Sequence, residues 1–155
     1  MLYVTPSDEL VRTDGLRTTS LGDVARLAAE PRGIEALADG STAVFGRRRI
    51  AIAGPAGQLT ASAPIRRRAL VTQDVSAAPD GRGYAYVLTT RRRNGGTDTV
   101  ELLLPGARVA HTVAAIPVSL HGCGWGSTVT WRGSWIRYRN LDGRRLAVDI
   151  RPRTG

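Results

Sequence analysis

Pro79-Asp80-Gly81-Arg82-Gly83-Tyr84-Ala85-Tyr86-Val87 is the stretch whose reading decides the fold of this chain. Its Asp-Gly pair is a hairpin-type turn, and the run after it reads as a half-buried strand. An earlier stretch, Ala38-Asp39-Gly40-Ser41-Thr42-Ala43-Val44-Phe45, has the same turn before the same kind of run. Gly126-Ser127-Thr128-Val129-Thr130-Trp131 is a weaker third copy that lacks the Asp-Gly. The copies recur at roughly 40–45 residues, so one supersecondary unit is repeated. Each is followed by a polar or Arg-rich break and another strand-like run.

Working outward, Ile34 to Leu37, Thr42 to Phe45, Arg49 to Ala53 and Gln58 to Ile65 form four successive strands. Asp39-Gly40, Arg47-Arg48-Arg49 and Gly54-Pro55-Ala56-Gly57 separate them. The next unit follows the same plan, with strands at Val71 to Ala77, Tyr84 to Thr89, Thr99 to Leu104 and Arg108 to Val113. A long polar loop is expected from Arg91 to Asp98. The last unit has strands near Gly124–Trp131, Ser134–Arg139 and Arg145–Ile150, with Leu141-Asp142-Gly143 as its second turn and no evident fourth strand. Residues 2–13 form a two-stranded hairpin pattern that could complete the unit left open at the other end, removing a sheet edge. Ser20 to Ala29 is either a short helix, with Ser20-x-x-Asp23 before Val24 as its cap, or an irregular connecting strand.

The segment Val75-Ser76-Ala77-Ala78-Pro79-Asp80-Gly81-Arg82-Gly83-Tyr84-Ala85-Tyr86 resembles the S-P-D-G-r-x-i-A-y core of TolB-like and WD-type β-propeller repeats. The resemblance covers residues 71–115 well, 33–65 moderately, and 118–150 in outline through Trp131, Trp135 and Asp142-Gly143. It implies one all-β domain over 1–155, built of about three four-stranded antiparallel blades near 33–65, 71–115 and 118–150. Such propellers usually close with more blades, so the chain is read as a partial propeller or one completed by oligomerisation.

The chain has 155 residues, 42% of them hydrophobic, which suits one folded domain with a real core. Its formal charge is +9, and every basic residue is arginine. Such an excess favours anionic partners: nucleic acid, acidic protein surfaces or anionic lipid. No run is long and apolar enough to cross a membrane, and the start does not read as a signal peptide. A cytoplasmic protein is the default expectation, and an extracytoplasmic one follows if a leader is missing.

On the blade plan, successive strands run up and down, so second-to-third loops share a face with blade-to-blade loops. Arg47, Arg48 and Arg49, Arg91, Arg92 and Arg93, and Arg144 and Arg145 fall in second-to-third loops. Arg66, Arg67 and Arg68 fall in a blade-to-blade loop. These arginines are the candidate binding residues, since the guanidinium fork pairs with carboxylate or phosphate. The competing reading is that exposed loops collect charge for solubility.

A second candidate group is Trp125, Trp131, Trp135 and Tyr138 with Arg132, Arg137 and Arg139 among them. Aromatic rings among basic residues can stack on bases. The alternating spacing of Trp125, Val129 and Trp131, and of Ile136 and Tyr138, points instead to packing between blades.

Little points to catalysis. Glu9, Glu30, Glu35 and Glu101 are scattered, and Asp39, Asp80 and Asp142 occupy turns where they can bond the local backbone. No Gly-x-Ser-x-Gly elbow or phosphate loop is present. Cys123 is alone, and His111 and His121 are too few for an ordinary metal site, so no cofactor or metal is expected. The expected function is a non-enzymatic binding or scaffold module that docks an acidic or anionic partner on an Arg-rich face. Nucleic-acid binding through Arg and Trp is the second reading. A fragment of a propeller-type hydrolase or lyase is the third.

Overall fold

The computed structural model describes residues 1–66, 69–92, 95–119, 127–140 and 143–151. These residues form four antiparallel sheets, each a simple meander in chain order. The first contains β1 (Leu2–Val4), β2 (Glu9–Thr13) and β3 (Thr18–Asp23), and is followed by one helical turn, α1 (Val24–Leu27). The second contains β4 (Pro31–Ala36), β5 (Thr42–Gly46), β6 (Arg49–Ala53) and β7 (Leu59–Pro64). The third contains β8 (Ala69–Ala77), β9 (Tyr84–Arg92), β10 (Gly95–Leu103) and β11 (His111–Val118). The fourth contains β12 (Thr128–Arg132), β13 (Trp135–Arg139) and β14 (Arg145–Asp149).

Strand alternation decides which neighbour each sheet packs on. In the second sheet, Val44, Ala51 and Ala53 face the first, meeting Leu10, Leu21, Val24 and Leu27. Phe45, Ile50 and Ile52 project the other way, onto Tyr84, Tyr86, Leu88 and Leu103 of the third sheet. The third sheet repeats the device, with Ala85, Val87 and Val100 turned toward Val129, Trp131, Ile136 and Tyr138 of the fourth. Each middle sheet therefore has two apolar faces. The result is a row of four sheets with one apolar layer at each of three junctions.

The first strands of successive sheets approach one another: β1 meets β4, β4 meets β8, and β8 meets β12. Polar side chains tie them. Glu35 Oε2 on β4 accepts the Val75 N–H at 3.1 Å. Asp74 Oδ2 on β8 accepts the Val129 N–H at 2.5 Å, and Ser76 Oγ accepts that of Trp131 at 2.8 Å.

The repeated Asp-Gly occupies the same turn, between first and second strands, in the second and third sheets. Gly40 and Gly81 have φ of 83° and 72°, a conformation that costs a glycine little. Asp39 Oδ1 accepts the Ser41 N–H at 2.9 Å, and Asp80 Oδ1 that of Arg82 at 3.2 Å. The third copy is out of step. Thr128 to Trp131 lie on the first strand of their sheet, whereas Thr42 to Phe45 and Tyr84 to Val87 lie on second strands.

Other differences from the sequence expectation have identifiable causes. The pattern at 2–13 does not join the last sheet: β1 pairs with β2 and β2 with β3, so four sheets replace about three units. Leu10 and Leu21 thereby cover the apolar face of the second sheet. After β3 the chain does make a helical turn, and Asp23, rather than Ser20, caps it by accepting the Ala25 N–H at 2.7 Å. The polar loop expected at Arg91–Asp98 is largely strand, with β9 and β10 paired from Thr89/Asp98 out to Arg92/Gly95. Within it Thr97 is β-branched, and Asp98 accepts the Thr89 hydroxyl at 2.7 Å.

Candidate anion-binding surface

The buried and half-buried acids are occupied by internal donors. Asp98 accepts the hydroxyls of Thr89, of Ser127 at 2.5 Å, and of Tyr138, which joins the third sheet to the fourth. Glu101 accepts the Thr112 hydroxyl at 2.9 Å and lies 3.7 Å from the Arg66 guanidinium. Glu35 is pushed up to about 7, chiefly by burial; the Val75 N–H opposes the rise and the nearby Asp74 charge adds to it. Burial raises Asp74 as well, against the Val129 N–H. These groups join sheets. Among the described residues, no three His, Cys, Asp or Glu side chains gather as a metal site would require, and no helix is long and apolar enough to cross a membrane.

The arginines divide into tied and untied. Arg47 is exposed and pairs with Glu30 at 3.3 Å. Arg66 is engaged by Glu101 and by the Thr112 hydroxyl at 2.8 Å. Arg144 donates to the Pro117 carbonyl at 3.2 Å. Arg48 and Arg49 are exposed, with no acidic partner among the described residues. The Ile65 N–H donates to the Arg48 carbonyl at 2.7 Å, so the β5–β6 turn and the start of the β7–β8 connection are neighbours. Arg91 is exposed at the end of β9, opposite Gly96, and Arg92 follows opposite Gly95. Arg67, Arg68 and Arg93 lie outside the described residues, as do Trp125, His121, Cys123 and Asp142.

A group of arginines with no acidic partner among the described residues lies on the outer face of the fourth sheet. Register places Thr128, Arg139 and Arg145 in one cross-strand row, and Thr130, Arg137 and Ala147 in the next. Arg132, Trp135 and Asp149 form the third row. Arg132, Arg137, Arg139 and Arg145 are exposed and have no acidic partner among the described residues. Asp149 is taken by Arg151 at 2.5 Å, and that guanidinium holds its carboxyl below the usual range. Arg139 and Arg145 are directly opposite each other. Like charges in that relation oppose folding unless an anion lies between them. A groove of about 360 Å³ runs over this face between Arg137, Arg139 and Arg145, floored by Thr128, Thr130 and Ala147.

Sequence reasoning offered the aromatics of this region as one candidate group but read the alternation of Val129 with Trp131, and of Ile136 with Tyr138, as packing between sheets. The structure agrees for those residues while leaving Trp135 outside. Trp131 and Tyr138 are buried against the third sheet. Trp135 is 41% exposed, on the face that carries the arginines. The signal was present in the strict alternation of Thr128–Arg132 and Trp135–Arg139, where every second residue is polar or Trp135. Comparison of the chain with protein-family models, curated proteins and solved structures gave no match.

Proposed function

We propose that the four sheets are propeller-type blades and that the chain is a non-enzymatic binding module which docks an anionic partner through its untied arginines. The blade reading is supported by the 40–45-residue repeat, the up-and-down meanders, and first strands that adjoin one another from sheet to sheet. The binding reading rests on one observation. Arg139 and Arg145 face each other across β13 and β14, beside Arg137 and Arg132, with no acid among the described residues to neutralise them. A stability-driven surface would set an acid against Arg139, where the register puts Thr128 and Arg145, and another apolar sheet stacked on it would strand four guanidinium groups.

Arg48 and Arg49 extend the same chemistry to the β5–β6 turn of the second sheet. The test is affinity for inorganic polyphosphate as a function of salt. Binding with a steep negative dependence of log K on log salt is expected, reduced when Arg137, Arg139 and Arg145 are changed to Ser. Absence of binding at low salt, or a flat salt response, would sink the reading.

A further inference from the structure

We infer that the outer face of the fourth sheet is a platform for single-stranded nucleic acid, on which Trp135 stacks a base while the arginines hold phosphates. This rests on the reading of the chain as an anion-binding module and names the class of anion. Four features of the face carry it.

The first is Trp135, the one large apolar side chain among the nine residues of the three cross-strand rows. Its neighbours in register are Arg132 and Asp149, with Arg137 two positions along its own strand. An acidic peptide needs arginines but no exposed ring. An apolar partner would need more than one ring among Thr128, Thr130 and Ala147. Bases supply both a π-face and a charged backbone, and arginine-flanked aromatics on an open sheet suit that combination.

The second is spacing. Arg137 and Arg139 project from the same side of β13, about 6.7 Å apart along the strand, comparable to successive phosphates in an extended single strand. The third is the Arg139–Arg145 pair, where a bridging phosphate relieves a repulsion that the fold otherwise carries. The fourth is shape. The face is three strands wide, with a groove beside β13 that is floored by small side chains, Thr128, Thr130 and Ala147. A strand of nucleotides can lie in it, whereas a duplex keeps its bases stacked away from Trp135.

The experiment measures binding of the whole chain to fluorescein-labelled oligo(dT) and oligo(U) of about twelve nucleotides. Duplex DNA, polyaspartate and inorganic polyphosphate serve as comparison polyanions. Binding of the single strands more tightly than any comparison polyanion is expected, with quenching of tryptophan fluorescence that Trp135→Ala removes. Trp135→Ala should weaken oligonucleotide binding by about 10-fold or more and leave polyphosphate binding unchanged. Trp135→Phe should restore most of the loss. Arg137→Ser with Arg139→Ser should reduce the slope of log K against log salt by about 1.4. The relative affinities for oligo(dT) and oligo(U) tell whether DNA or RNA is preferred.

Failure here is distinct from failure of the broader reading. Polyphosphate bound while single strands bind no better overturns the platform and leaves anion docking standing. Tighter binding of polyaspartate overturns it in favour of an acidic protein, and tighter binding of duplex overturns it in favour of double-stranded DNA. If Trp135→Ala weakens oligonucleotide and polyphosphate equally, or neither, stacking is refuted. No binding to any of the polyanions overturns both readings.

Discussion

Trp131 and Trp135 belong to the same hairpin of the fourth sheet, yet Trp131 is 4% exposed and Trp135 41%. The difference is one of parity in their strands. Val129, Trp131, Ile136 and Tyr138 turn toward the third sheet and share one cluster with Ala85, Val87 and Val100. Arg132, Trp135, Arg137 and Arg139 turn away from it. A single residue of slip would bury the arginines and expose the core, so the hydrophobic effect fixes the register firmly. That firmness lets the outer face carry an arrangement, Arg139 against Arg145, that folding alone would not favour. The buried face supplies the stability, and the open face takes no part in the core.

The most direct way to break this comparison is to truncate each ring in turn. Trp131→Ala removes a buried indole whose N–H donates to the Gly133 carbonyl at 3.0 Å. It should cost about 3–5 kcal/mol in chemical denaturation. Trp135→Ala should change stability by no more than about 0.5 kcal/mol. Equal losses would mean that Trp135 is also covered, and the two faces would no longer differ in role.

A second prediction concerns the polar knot beneath the buried face. Asp98 is almost fully buried, and it accepts hydroxyls from Thr89 on its own sheet, from Tyr138 on the fourth, and from Ser127 just before β12. Asp98→Ala leaves these donors without their acceptor and should cost about 2–4 kcal/mol. Tyr138→Phe removes one bond of the set and should cost about 1–2 kcal/mol. A neutral Asp98→Ala would show that apolar packing and the Asp74 and Ser76 bonds to β12 dock the fourth sheet without this knot.

The repeat gave a good account of the middle of the molecule because two kinds of signal agreed there. Asp-Gly marks a turn by its backbone requirement, and the runs beside it alternate at period two, so the strands from β4 to β9 could be placed from residues alone. Where the signals parted, the reading slipped. Thr18 to Asp23 has only Leu21 as a buried apolar residue, too little pattern to announce β3. Arg91 to Asp98 looks polar enough for a loop, because the partners that hold its described residues in strands lie across the hairpin and on the fourth sheet. The candidate surface was harder still. Arginine runs in loops are visible in a sequence, but the rows built by Arg132, Arg137, Arg139 and Arg145 come from three different strands and exist only in register. Whether an arginine is tied, as Arg66 is to Glu101, also depends on which sheet it lands beside.

The smallest expected effect separates the open face from the ties between first strands, and it is read through pH. Glu35 and Asp74 are carboxyls whose backbone bonds hold β4 to β8 and β8 to β12. Burial raises both, Glu35 from an ordinary 4.5 to about 7. A carboxyl raised in the native state binds more protons there than in the unfolded chain between those two values. Its contribution therefore lowers stability as pH climbs from about 4.5 to about 7 and is level above that. Glu35→Gln keeps an oxygen to accept the Val75 N–H, removes the buried charge and its repulsion of Asp74, and should flatten that decline. Stability of the variant should exceed the wild type at pH 8 and approach it near pH 4.5, as read by midpoints of denaturation across the range. Polyphosphate affinity at fixed pH should not change, because Glu35 lies at the junction of the second and third sheets while the untied arginines of the outer face belong to the fourth. A variant whose stability kept the wild-type pH profile would show that Glu35 is well solvated and that burial does not raise it.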